Sequence, residues 1–167
     1  MLKFNLQSDV MINALGRIEA VLVKPEAMYK DMGEYLVTSS KDRFKNSTAP
    51  DGSKWQANSQ TTYMNILGNG HTKKDGTLSK KGINRVMSKR PLVLSGLLRD
   101  QIHYQISGDL LLVGSSMIYA ATQHFGAKKG SFGKGAPWGD IPAREFLGIS
   151  VADEAELTNI VEDHILP

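Results

Sequence analysis

Apolar residues recur along the first third of the chain at helical spacing. Met11, Leu15, Ile18 and Leu22 follow Ser8 and Asp9 at steps of four and three, with Asn13, Arg17 and Glu19 off the stripe. An amphipathic helix started by a side-chain oxygen has this pattern. Lys24-Pro25-Glu26 breaks the stripe and restarts it: proline suits the first turn of a helix, and a glutamate there meets the positive end of the helix dipole. Met28, Met32, Leu36 and Phe44 carry a second stripe past Arg43. The helical part is expected over 8–46, ending ahead of the turn signal Pro50-Asp51-Gly52, and both helices are expected to pack against something else. Gly33 costs a helix about 1 kcal/mol relative to Ala and counts against an unbroken second helix.

Beyond the turn, the bulk of Trp55 predicts burial, with the indole N–H on an acceptor. Residues 66–90 are rich in Gly and Lys; they predict a long mobile loop with a short helical turn around Ile83 to Met87. After Pro91 the pattern tightens. Leu92, Leu94, Leu97 and Leu98 predict a short helical or turn segment, and Ile102, Tyr104 and Ile106 alternate with His103 and Gln105 as in a half-buried strand. Ser107-Gly108-Asp109 reads as a three-residue hairpin turn leading into Leu110–Val113, a more fully buried strand. Tyr119 to Phe125 predicts a short helix or turn stopped by Gly126. A second glycine-rich excursion covers 127–140, and Phe146, Leu147 and Ile149 are expected to rejoin the core as a strand. Ser150 with Asp153 three residues on predicts a capped final helix over 150–165, with Leu157, Val161 and Ile165 on one face. The fold class expected is α+β: helices packed on a small antiparallel sheet, with two long glycine/lysine-rich loops, the core lying in 91–149 and one domain spanning 1–167.

Length and composition narrow the chemistry. A chain of 167 residues buries roughly 70% of its extended surface on folding, enough for a core without staples. The absence of cysteine excludes disulfides, Cys-based zinc sites and thiol nucleophiles. No stretch approaches the ~20 apolar residues that span a bilayer, and the first residues lack the run of a secretory signal. A soluble protein assembled where it is made is the expectation.

The net charge of +3 is unevenly spread. Residues 66–90 carry seven bases, Lys73, Lys74, Lys80, Lys81, Arg85, Lys89 and Arg90, against the single acid Asp75. From Glu145 onward there are six acids (Glu145, Asp153, Glu154, Glu156, Glu162 and Asp163) and no Lys or Arg. Such polarity steers binding to an acidic partner, to nucleic acid or to a second copy of the chain, although a solvated loop and a solvated helix face would show it too.

Catalytic signatures are missing. His71, His103, His124 and His164 have no metal-motif spacing, and His124, without a partner motif, reads as a structural histidine bonded to backbone. Gly114-Ser115-Ser116 lacks the G-x-S-x-G pattern, and the glycines at 68, 70 and 76 do not form a phosphate-binding loop. Arg99 and Asp100 read as ion-pairing or turn-positioning residues. Arg144 follows a rigid turn and precedes apolar groups, so its stem packs while its guanidinium reaches backbone carbonyls or a carboxylate.

Three short motifs stand out: Leu94–Ile102, with Gly96, Leu97 and Arg99; Tyr119–Gly126, with Tyr119, Ala120, His124, Phe125 and Gly126; and Ile141–Ile149, with Pro142, Ala143, Arg144, Phe146 and Leu147. With Arg43-Phe44 and Pro50 to Trp55 upstream, their order resembles the phage virion morphogenesis (tail-completion) family, the small neck proteins of Mu-like and related contractile-tailed phages, over roughly residues 40–165. Glu145 stands where that family usually has a second proline, and the glycine/lysine stretch before Pro91 looks like an insertion. The resemblance implies a non-enzymatic, cofactor-free component of a phage or prophage particle, assembled in the bacterial cytoplasm. It would complete the tail or join head to tail by binding the tail end or the connector, as a homo-oligomeric ring, with DNA touched only in the lumen and no membrane. The rival expectation is a nucleic-acid-binding protein that sets the bases of 73–90 on phosphates and stacks Trp138 or Phe132 on bases.

Overall fold

The structure, a computed structural model, describes residues 8–67, 71, 73, 77, 79–133 and 139–166. Lys74, Trp138 and the glycines at 68, 70 and 76 lie outside the described residues. Helix α1 spans Asp9–Val23 and opens on Ser8, whose hydroxyl accepts from the Met11 amide. Its apolar stripe is present and the helix packs on the chain's last helix, but none of its residues is fully buried. Helix α2 (Glu26–Asn46) starts after Pro25 and ends where Ser47 turns left-handed, with φ of 53°. It runs to Asn46 as the apolar stripe predicts, unbroken at Gly33 despite the cost of a glycine there. The reason lies across the core: a Cβ at Gly33 would sit 2.5 Å from Cγ of Tyr104, so the helix carries a glycine where the tyrosine ring lies against it.

Two further helices follow. Helix α3 (Gln60–Leu67) has no counterpart in the sequence reading, and α4 (Lys80–Met87) includes the helical turn expected at Ile83 to Met87 and begins three residues before it. A local cap accounts for α4: the Ser79 hydroxyl accepts from the Gly82 amide at 3.1 Å, and the Ser79 amide is held by the His71 carbonyl. Gly82 is buried because that carbonyl passes where a side chain would be. Helices α3 and α4 pack on each other.

The short helix α5 (Leu97–Asp100) follows Gly96, at φ of 86°, and leads into the sheet. Strands β1 (Ile102–Ser107) and β2 (Leu110–Ser115) pair antiparallel from Ile102 with Ser115 to Ser107 with Leu110. The connection is therefore two residues, Gly108-Asp109, one shorter than expected; Gly108 supplies the positive φ that such turns demand. Strand β2 is also less buried than its run of leucines suggests, with Leu110 62% and Leu112 54% exposed. The sheet lays one face on α2 and turns the other outward, so its strands alternate, as one-sided antiparallel sheets do.

Helix α6 (Ala120–Phe125) stops at Gly126, and α7 (Val151–Ile165) opens on a complete capping box between Ser150 and Asp153. The strand expected at Phe146–Ile149 does not form. Phe146 is fully buried, but Gly148, at φ of 135°, turns the chain and leaves Ile149 exposed. The segment's amides go to α6 instead: Arg144 N to the Gln123 carbonyl and Phe146 N to the His124 ring.

The core comprises Phe44, Trp55, Leu98, Ile102, Ala120 and Phe146. Phe44 meets Trp55 edge-on at 5.2 Å between ring centres and Phe146 at 5.3 Å. The fold is α+β, several helices packed with a two-stranded antiparallel sheet.

Candidate functional site

The motif residues converge on a clamp between two distant segments. Trp55 Nε1 donates to the Glu145 carbonyl at 2.9 Å, while Arg144 Nε and Nη2 donate to the carbonyls of Gln56 and Ala57 at 2.9 and 3.1 Å. Each segment thus offers a side chain to the other's backbone. Both side chains are nearly solvent-free, and burial lowers the Arg144 pKa from its ordinary value.

His124 joins the same cluster, with its ring edge-on to Phe146. Its Nδ1 accepts from the Phe146 amide at 3.3 Å, which places the proton of the neutral ring on Nε2. Burial pushes its pKa down, Glu145 opposes that, and Arg43 adds to it. Gly126 lies so close to the next segment that a Cβ would fall 2.7 Å from both the Ala143 amide nitrogen and the Ile141 carbonyl oxygen. Leu147 packs half-buried on the core, Ala120 is buried within it, and Phe125 and Ala143 are exposed.

An open groove of about 1330 Å³ runs beside this clamp, between residues 56–65 and 90–98, with Tyr119, Pro142 and Arg144 also lining it. Its volume exceeds the roughly 300–1,000 Å³ of small-molecule clefts. Leu94 and Leu97 line it while facing solvent, Gly96 is buried between them, and Arg90 on its wall donates to the Lys45 carbonyl. Arg99 pairs with its neighbour Asp100 at 2.8 Å on the surface; their hydrogen bond raises the arginine's pKa and lowers the aspartate's.

The charged surfaces sit on different helices. Lys80, Lys81 and Arg85 are exposed on α4, with Lys73 exposed and Lys89 half-buried nearby in sequence. Glu154, Glu156, Glu162 and Asp163 are exposed on α7, which packs on α2 and α1. Asp153 does not belong to this acidic face, a correction to the sequence reading. It is 1% exposed and accepts from Arg43 Nη2 at 2.6 Å, from the Ser39 hydroxyl, and from the Ser150 amide and hydroxyl. Burial alone would raise its pKa; the hydrogen bonds from Ser39 and Ser150 and the charge of Arg43 outweigh burial and hold it at about 2.

Arg43 also donates to the Phe146 carbonyl at 3.1 Å, so one guanidinium joins α2, the 141–149 segment and α7. The sequence reading missed this pair, for which the capping box at Ser150 was the local signal. Among the described residues, no group of three or more His, Asp or Glu side chains could hold a metal ion, and no helix is long and apolar enough to cross a membrane.

The model of the phage virion morphogenesis family matches residues 7–166, nearly the whole chain. No curated protein and no solved structure matches it.

Proposed function

The chain belongs to the phage virion morphogenesis family, and on that premise we propose that it is a tail-completion protein that joins head to tail by binding the tail end or the connector as a ring of identical copies. Membership assigns it a structural role in building the particle rather than a catalytic one. The observation that carries the ring is the separation of charge: exposed bases on α4 and exposed acids on α7, carried on different helix pairs. Placed head to tail, the basic segment 73–90 of one copy meets the acidic α7 of the next, a heterologous contact of the kind that closes rings.

Reversing Lys80, Lys81 and Arg85 to Glu tests this reading. Loss of the assembled mass in light scattering is expected, and unchanged assembly overturns the contact. The same bases face DNA only in the lumen of the ring. The free protein is therefore expected not to be retained on DNA at physiological salt, whereas retention that weakens steeply with salt would favour a nucleic-acid-binding protein.

A further inference from the structure

Helix α1 is an apolar helix without a cover. Val10, Met11, Ile12, Leu15, Leu22 and Val23 are all more than half exposed, and α7 is its one substantial packing neighbour among the described elements. A row of large apolar side chains this long marks an interaction site, because folded chains rarely leave so much contiguous apolar surface in water. Within α1 and its capping residues, Arg17 and Lys24 are the only bases. That is poor in positive charge for a helix lying on an anionic membrane.

The chain displays a matching receptor. The groove beside the Trp55–Arg144 clamp is open to solvent and carries Leu94 and Leu97 exposed on its wall. Its surroundings have the charge that α1's surroundings lack. Helix α3, whose Thr61, Thr62 and Asn65 line the groove, packs on α4 with its exposed Lys80, Lys81 and Arg85, and Arg90 lies on the wall itself. On the other side, α1 lies against α7 with its exposed Glu154, Glu156, Glu162 and Asp163. One surface is thus apolar flanked by acid; the other sets exposed leucines among polar walls flanked by base, with Asp140 as the acid on its lining.

From this double complementarity we infer that α1 of one copy docks in the groove of the next, forming the apolar centre of a head-to-tail contact whose rim is the α4–α7 charge pairing. The inference rests on the ring proposed above and names what holds it together. Rim charges of this kind set encounter rate and register, while buried apolar anchors carry most of the affinity. About two to three turns of a helix, at 1.5 Å rise per residue, bring Leu15 and Leu22 to bear on one groove.

The absence of cysteine makes the test direct. Full-length L15C and L94C, one of them isotopically labelled, are mixed and treated with a flexible bis-maleimide, with K30C and L94C as the control pair. The expected result is a mixed-mass cross-linked dimer well above the control, no dimer from L15C alone, and at least tenfold weaker self-association of L15D/L22D at unchanged circular dichroism.

Rings that form without the mixed cross-link overturn this inference and leave the ring reading standing, as does efficient cross-linking of L15C to itself. Co-sedimentation of the wild type with phosphatidylglycerol vesicles, without the cross-link, assigns α1 to lipid and overturns it as well. A chain that stays monomeric at every concentration overturns ring and docking together.

Discussion

Arg43 and Asp153, 110 residues apart in the chain, meet at 2.6 Å with both side chains almost wholly withdrawn from water. Removing one partner of such a pair strands the other charge in the core, at a cost of about 3–5 kcal/mol. D153N and R43M are each expected to lose stability on that scale in urea denaturation at neutral pH. A loss below about 1 kcal/mol would show that the pair is dispensable.

The same carboxylate sets the acid limit of the fold. Its folded pKa of about 2 lies below the ordinary 3.8, so its contribution is present above the ordinary value and is lost as pH falls from there through the folded value. The difference is on the order of 2 kcal/mol. Urea midpoints measured from pH 5 to pH 2 are expected to fall more steeply for the wild type than for D153N. Parallel curves would count against the assignment.

His124 adds a second dependence on the acid side. Its pKa is depressed, so the neutral ring stabilises the fold above the ordinary value of 6.5, and that contribution is lost as pH falls through the lower folded value. Its ring protons, followed by NMR, are expected to titrate below 6.5. A midpoint above it would mean that the ring is charged in the core.

Gly33 presents two opposed effects. Alanine there gains about 1 kcal/mol of helix propensity, but its Cβ would stand 2.5 Å from the Tyr104 ring. Overpacking of this kind costs about 1–3 kcal/mol, and it is the larger effect because the ring lies directly over the helix backbone. G33A is expected to melt at lower temperature than the wild type, and G33A in a Y104A background to melt higher than Y104A alone. A stabilised single variant would show that the ring moves aside freely.

The Trp55–Arg144 clamp depends on geometry as well as charge. Arg144→Lys keeps the charge but loses the two-pronged contact with Gln56 and Ala57, at an expected cost of about 1.5–3 kcal/mol. W55F removes the donor to Glu145. Because both changes loosen the same pair of segments, the double variant should cost less than the sum of the singles in chemical denaturation; strict additivity would mean that the two contacts act independently.

Local chemistry made part of this structure legible. The stripe of α2, its end ahead of Pro50, the alternation of Ile102, Tyr104 and Ile106, and the capping box at Ser150 each depend on residues a few positions apart. Where the sequence was ambiguous or misled, a distant group decided the outcome. Tyr104 explains the glycine in α2, the His71 carbonyl explains Gly82, and the bonds to Gln123 and His124 turn 141–149 away from a strand. The groove escaped notice because its walls come from segments around residues 60, 95 and 141, and no local periodicity reports such a convergence. In α1 the stripe was visible from the start, but a pattern of apolar positions cannot say whether its cover lies in the same chain.

The guanidinium of Arg43 ties α7 to the carbonyl of Phe146 at the centre of the molecule, so the acidic helix is bolted to the core instead of resting on it. Part of a pull on its outer face travels through this ion pair into the packed aromatics. Tension at a particle joint would then load the whole fold at once, and the helix would not peel away while the rest of the protein stayed intact.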